Sequence, residues 1–406
     1  MDQQPSPPLP SLSRRAMTLT PSPTMAIDSR AKQIAAEGID VVNLSIGEPD
    51  FPTPEVACAG GIDAIRKGLH KYTPASGTVE LRKAIAAKLL ADNGLEYAPD
   101  EIVVSNGAKH SLYNALMVLV DPGDEVIVPA PYWVSYPDMA KLCGGVPVIV
   151  YTDPASGFRL TPEQLRAKLT PKSKVLILNS PSNPTGSVYT PDELRAIAEV
   201  AVEHGVTIIS DEIYEKLVYD DARFASVASL GDHIKAMTVT VNGMSKAYAM
   251  TGWRMGYAAA PKPIAKAMAD LQSQTTSGPS SITQEASRAA LLGDQAPVEA
   301  MRQEFDRRRR YVVDRVRGIP GFAMEMVPTG AFYVFPNITG TLGLIIDQKT
   351  IGDADDLAIR LLDDAHVAVV PGKGFGTSIH VRISYAASME RLEEGFDRIA
   401  AFLARA

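Results

Sequence analysis

Three apolar runs joined by helical segments set what this chain can fold into. KVLILN at 174–179, VTIIS at 206–210 and the run at 237–241 each read as a buried strand. Between the first two lies PDELRAIAEVAVEH at 191–204, with the spacing of an amphipathic helix. Parallel neighbours need a crossover long enough to hold such a helix, so strand-helix-strand alternation points to parallel pairing. The expected fold class is α/β, with a mostly parallel central sheet and helices on both faces. Ligands of open sheets of this kind sit outside the carboxyl ends of the strands. Asn183, Asp211 and Lys246 each follow such an end, so three polar side chains converge on one edge. Asp211 comes directly after an apolar run, where an unpaired carboxylate is costly and a cationic ring nitrogen would satisfy it.

Lys246 lies within TVTVNGMSKAYAMTGWRMGY at 238–257. A lysine amine of pKa about 10.4 is almost wholly protonated at neutral pH, so a nucleophilic or basic lysine needs burial, a nearby cation or a Schiff base. Arg254 is a permanent cation whose planar fork suits a phosphate or carboxylate. Together they suggest a phosphorylated aldehyde held as an imine. Taken alone, the stretch also fits a loop lysine beside an exposed arginine.

Other stretches are informative only in combination. EIVVS at 101–105 runs through Asn106-Gly107 into a helix at 108–120, a junction whose free N–H groups and dipole favour an anion. Every α/β protein has several such junctions. Gly47-Glu48-Pro49-Asp50 breaks an expected strand at 41–46 and is either functional or a plain turn. Tyr132 and Trp133 follow a strand ending at Val128 and serve either a core or a ligand. Arg382 alternates with Val381 and Ile383 and so faces away from them, as a salt-bridged surface arginine also would. The remaining pattern predicts helices at 25–37, 56–67, 79–91, 297–317 and 353–365, with short strands in GAFYVFP, VAVVPG and HVRISYA. In the long helix, Arg307 to Arg310 are interleaved with acids and read as a solvated face.

Composition narrows the function classes. A chain of 406 residues, 46% hydrophobic, can bury a large core in two globular parts. We expect a disordered tail at 1–13, a segment 14–54 joining a smaller α+β domain, a large domain at 55–296 and the small domain at 297–406. A formal net charge of -7 argues against a nucleic-acid partner. The two cysteines, Cys58 and Cys143, give neither a disulfide framework nor a metal cluster, so a reducing, cytoplasmic setting is expected. No apolar run approaches the roughly eighteen residues of a membrane span. PGKGFG at 371–376 lacks dinucleotide spacing, and no phosphate-binding Gly-Lys loop or G-x-S-x-G elbow occurs.

NSPSNPTG at 179–186, SDEIY at 210–214, SKAYAMTGWRMGY at 245–257, GEPDF at 47–51 and VRISYA at 381–386 together resemble the fold-type-I pyridoxal-phosphate aminotransferases. The subgroup is the one that holds aspartate and prephenate aminotransferases, and the likeness runs from about Ser13 onward. It implies a homodimer acting on amino acids and 2-oxo acids through a ping-pong cycle, with pyridoxal 5'-phosphate as cofactor. Residue by residue, it implies Lys246 as Schiff-base lysine and proton-transfer base, Asp211 as the pyridinium partner, and Tyr214 and Asn183 at the ring's phenolic oxygen. Arg254, the N–H groups of Ala108 and Lys109, and Tyr72 from a partner subunit would grip the phosphate, with Trp133 over the ring. Arg382 would take the substrate α-carboxylate, with Gly47, Trp133 and Asn183 beside it. The same likeness associates a lysine at Lys109 with acidic side chains, so aspartate with 2-oxoglutarate is expected and prephenate or aromatic amino acids are the alternative. One departure stands out: relatives carry Lys or Arg before Pro-Ser, whereas this chain has Thr20 before Pro21-Ser22. That removes a second cation and weakens the expectation of strict dicarboxylate or prephenate use.

Overall fold

The computed structural model describes residues 11–19 and 23–406. Thr20-Pro21-Ser22 and residues 1–10 of the expected tail at 1–13 lie outside the described residues.

Its centre is a seven-stranded sheet. Across it the strands run Ile102–Ser105, Gly256–Ala259, Thr238–Gly243, Thr207–Asp211, Ser173–Asn179, Glu125–Ala130 and Val146–Tyr151. All neighbours are parallel except Gly256–Ala259, which is antiparallel to both of its partners. The apolar run of Ser173–Asn179 explains why helices cover both faces. Val175 and Ile177 pack on one side with Leu112, Leu116 and Met268, and Leu176 and Leu178 pack on the other with Leu194 and Ile197. Successive side chains of a strand point to opposite faces, so a continuous hydrophobic run needs a helix on each. The helix Pro191–Glu203 begins at a capping box: the Thr190 hydroxyl accepts from the Glu193 N–H, and the Glu193 carboxylate accepts from the Thr190 N–H.

Two strands of this sheet had no clear sequence signature. Gly256–Ala259 is a run of small residues around Tyr257. Val146–Tyr151 contains Pro147, which is tolerated because this strand lies at the sheet edge.

A second hydrophobic cluster gathers Leu44, Phe305, Val313, Phe332, Ile383, Tyr385 and Phe396. It surrounds a three-stranded antiparallel sheet of Val370–Pro371, Val381–Ser384 and Tyr333–Val334. Val42–Asn43 pairs in parallel with Val367–Ala368 and ties the N-terminal segment to this layer. The strand expected at 41–46 is thus only two residues long. Asn43 Oδ1 accepts from both the N–H and the hydroxyl of Ser45, and this local bonding competes with ladder pairing.

The arginine run requires a correction. Arg307 and Arg310 are solvated, as expected, but Arg308 and Arg309 are 5% and 2% exposed. Arg308 Nη1 lies 2.6 Å from Asp50 and its Nε 2.9 Å from Glu304. Arg309 is paired with Asp306 and Asp220 and donates to the Pro328 carbonyl. A helix 22 residues long that spans two layers turns one face inward, and these two guanidiniums lie on it.

Candidate active site

The carboxyl ends of the strands Ser173–Asn179, Thr207–Asp211 and Thr238–Gly243 open into a cavity of about 310 Å³. Of the expected site residues, Gly47, Ala108, Lys109, Trp133, Asn183, Asp211, Tyr214, Lys246, Arg254 and Arg382 all line it. Tyr72 does not: it is 97% exposed on a loop and does not line the cavity of its own chain.

Lys246 sits two residues past Met244 in the turn that follows Thr238–Gly243. Its ammonium donates to the Gly47 carbonyl and lies 5.8 Å from the Phe332 ring centroid. Burial pushes its pKa down to about 8, the Arg382 guanidinium adding to the effect. The amine is therefore poised near neutrality, as a nucleophile must be.

Asp211 ends its strand, 4% exposed. Its two oxygens accept from the Tyr136 phenol at 2.7 Å and the Ile213 N–H at 3.3 Å. Burial pushes the carboxyl up to about 6 against these two donors. A buried carboxylate held by neutral donors has room for a cation, and a protonated ring nitrogen is one.

At the other end of the cavity the helix Ala108–Leu119 begins at Gly107, whose φ of +86° is a glycine conformation, and no side chain caps it. A Cβ on Gly107 would stand 2.5 Å from Arg254 Nη2, so the missing side chain leaves room for the guanidinium beside the helix N-terminus. Arg254 is steered there by its bond to the Thr251 carbonyl at 2.7 Å, and the Thr251 hydroxyl donates to Glu48 at 2.6 Å. Free helical N–H groups and a guanidinium form a receptor for a phosphate.

Arg382, 2% exposed, is no surface arginine. Its Nη2 donates to the Ser45 carbonyl at 2.6 Å and its Nη1 to Asn183 Oδ1 at 3.1 Å, while Nε has no partner among the described residues. Asn183 is set by its own N–H bonding Asn179 Oδ1, and Asn179 in turn donates to the Asp211 carbonyl. A buried guanidinium without a carboxylate is matched to an incoming one. Trp133 forms a wall, edge-on to Tyr136 at 5.3 Å, and the Lys109 ammonium lies 4.7 Å above the Trp133 ring at the mouth. Burial and then Arg254 hold the Lys109 pKa below its usual value.

Amine, buried acid, anion receptor and carboxylate receptor around one cavity match the functional groups of pyridoxal phosphate and an amino acid. Sequence reasoning missed Tyr136, Asn179, Glu48 and Tyr333, all of which line the cavity. Tyr136 stands three residues beyond Trp133 in PYWVSY, and Asn179 opens NSPSNPTG, so their neighbours carried the only available signal.

Comparisons with known proteins bear on family and fold. The family model described as aminotransferase class I and II matches residues 39–399. The chain is 50% identical over 392 residues to the aspartate aminotransferase of Geobacillus stearothermophilus, covering 97% of this chain and 98% of that one. It is 48% identical to an aspartate/prephenate aminotransferase of Cereibacter sphaeroides, over 97% and 98% of the two chains. In three dimensions it is similar to the aspartate aminotransferase of Rhizobium meliloti, with TM-score 0.94, 48% identity and 97% and 99% coverage.

Proposed function

The chain belongs to the class I and II aminotransferase family, whose members are pyridoxal-phosphate-dependent transaminases, and from that premise we propose that it moves the amino group of L-aspartate to 2-oxoglutarate. The observation that carries this reading is the placement of Lys246, Asp211 and Arg382 around one cavity with Lys109 at its mouth. Pyridoxal phosphate supplies an aldehyde to receive the amino group and a ring that accommodates the electron pair left at the substrate α-carbon.

The protein's own groups divide the rest. Arg254 and the N–H groups of Ala108 and Lys109 bind the phosphate, with Tyr72 of a second subunit completing the grip in a homodimer. Asp211, held by Tyr136, would pair with the ring nitrogen and keep it protonated. Tyr214 and Asn183 would hold the phenolic oxygen, and Trp133 would wall the ring off from water. Arg382 fixes the substrate α-carboxylate beside Gly47, which orients the α-hydrogen toward Lys246. The Lys246 amine would take that proton from the α-carbon and pass it on. Lys109 meets the side-chain carboxylate of aspartate. Residues 55–296 form the cofactor-binding unit, and 14–54 with 297–406 form the unit beside it; two hydrophobic clusters lie wholly within the first, while the cluster of the second also takes in Ile213, Tyr214, Leu217 and Tyr219.

The test is a substrate panel on the cofactor-loaded protein. Aspartate should yield oxaloacetate, and 2-oxoglutarate should then be converted to glutamate, each half-reaction changing the visible spectrum. A higher kcat/KM for tyrosine or prephenate than for the aspartate pair would overturn the substrate choice. Near-normal turnover in Lys246→Ala would overturn the lysine assignment.

A further inference from the structure

Tyr214 and Tyr333 place their hydroxyl oxygens 2.8 Å apart, both rings being buried, at 3% and 0% exposure. They come from distant parts of the chain: Tyr214 follows the strand Thr207–Asp211, and Tyr333 begins the strand Tyr333–Val334 of the other layer. The rings meet edge-on at 5.9 Å. The Tyr333 hydroxyl reaches over Gly47, where a Cβ would stand 2.7 Å from it, so glycine at 47 is what admits this phenol to the cavity wall. On the Tyr333 ring face lies the Arg382 guanidinium, 4.5 Å from the centroid.

A phenol has one proton and can both donate and accept. When Tyr214 gives its proton to the phenolic oxygen of pyridoxal phosphate, its own oxygen becomes an acceptor, and Tyr333 is the buried donor within reach. Hydrogen bonds in series polarise one another, so a donor behind Tyr214 makes Tyr214 a stronger donor in front. A cation over a ring withdraws electron density and favours loss of the phenolic proton, which makes Tyr333 suited to the donor end. Consistently, the Arg382 charge opposes the upward push of burial on the Tyr333 hydroxyl.

We propose that Tyr333 is a positioning residue: its hydroxyl donates to Tyr214, aims the single Tyr214 proton at the cofactor's phenolic oxygen, and strengthens that bond. The inference rests on the reading that Tyr214 faces that oxygen. Stronger donation stabilises the ionised form of the oxygen and weakens its hold on the proton it shares with the Lys246 nitrogen. The nitrogen then loses its proton at a lower pH than it would without Tyr333.

The experiment is a pH titration of the visible absorption of the cofactor-loaded protein, in wild type, Tyr333→Phe, Tyr214→Phe and the double variant. Phenylalanine keeps the ring that packs on Arg382, so the change is confined to the hydroxyl. Tyr333→Phe should move the midpoint upward by a few tenths of a pH unit, because the bond from Tyr214 to the charged oxygen gains on the order of 10–30% from a donor behind it. In the Tyr214→Phe background the same substitution should move nothing, because the donor then has no phenol to act through. An unchanged midpoint in Tyr333→Phe, or an equal shift with and without Tyr214, overturns the proposal, since a packing role predicts one or the other. If Tyr333→Phe does not retain the cofactor, Tyr333→His, which keeps a ring-borne donor, must restore retention for the proposal to stand. Absence of a titrating band in wild type would overturn the lysine assignment and this inference with it.

Discussion

The Tyr136 phenol stands 2.7 Å from Asp211 Oδ2 at the base of the cavity, and no cation stands within hydrogen-bonding distance of that carboxylate among the described residues. Burial pushes the Asp211 carboxyl up to about 6, from about 3.9 in an unfolded chain. Between those two values the folded cofactor-free state holds a proton that the unfolded state has lost. Stability contributed by this group is therefore full below about pH 4 and is lost as pH rises through about 6. At pH 7 the ionised carboxylate costs the cofactor-free fold on the order of 3 kcal/mol. Asp211→Asn should recover most of that in denaturant unfolding at pH 7, with no gain at pH 4, while equilibrium dialysis shows weaker cofactor retention. A variant with unchanged stability and unchanged retention would show that no cation is wanted there.

The Lys246 amine carries a pH prediction of the opposite sign. Burial and the Arg382 charge bring its pKa down to about 8, so the reactive free amine gains population as pH rises toward that value. Capture of pyridoxal phosphate by the cofactor-free protein, followed by stopped-flow absorbance, should accelerate with pH and level off above about 8. Arg382→Met removes a neighbouring cation and should move the midpoint upward. A capture rate still climbing at the pH of an ordinary lysine would mean that the amine is not desolvated.

How much of this was legible beforehand follows from how each contact arises. Asn183, Asp211 and Lys246 could be placed from sequence because the carboxyl-edge rule converts a strand end into a position, whatever packs around it. Tyr333 obeys no such rule: it reaches Tyr214 only because a two-residue strand of a second layer stacks against the first. Val146–Tyr151 was hidden by Pro147, since an edge position cannot be told from a loop before the sheet is assembled. Arg382 read as well as a surface residue as a buried one, because alternation gives a face and not what covers it.

Lys109 bears on substrate choice. Its ammonium stands over Trp133 and Lys109 lines the same cavity as Arg382, so in the proposed reading it meets the second carboxylate of a dicarboxylic amino acid. A hydrogen bond to a charged group contributes about 1.5–3 kcal/mol. Lys109→Gln should accordingly lower kcat/KM for aspartate by roughly 10- to 100-fold relative to its effect on alanine, measured by paired steady-state assays. An equal loss on both substrates would place Lys109 in the phosphate receptor alone.

The arginine run offers a stability test in which sequence neighbours should behave differently. Arg307 and Arg308 adjoin on one helix, and both contact Glu304, yet only Arg308 is buried and reaches Asp50 at 2.6 Å. Its guanidinium also lies 4.8 Å from the Phe51 ring, so it ties the helix to the Gly47–Phe51 crossing that borders Lys246. Truncating one partner of a buried pair strands the other charge and costs about 3–5 kcal/mol. Asp50 retains 30% exposure, and water reaching it places Arg308→Ala toward the low end of that range. Arg307→Ala, by contrast, removes an exposed pair between residues one helical turn apart and should leave the denaturation midpoint unchanged. Equal effects in the two variants would mean that the run acts as a single solvated face, and that the contact with Asp50 does not hold the crossing in place.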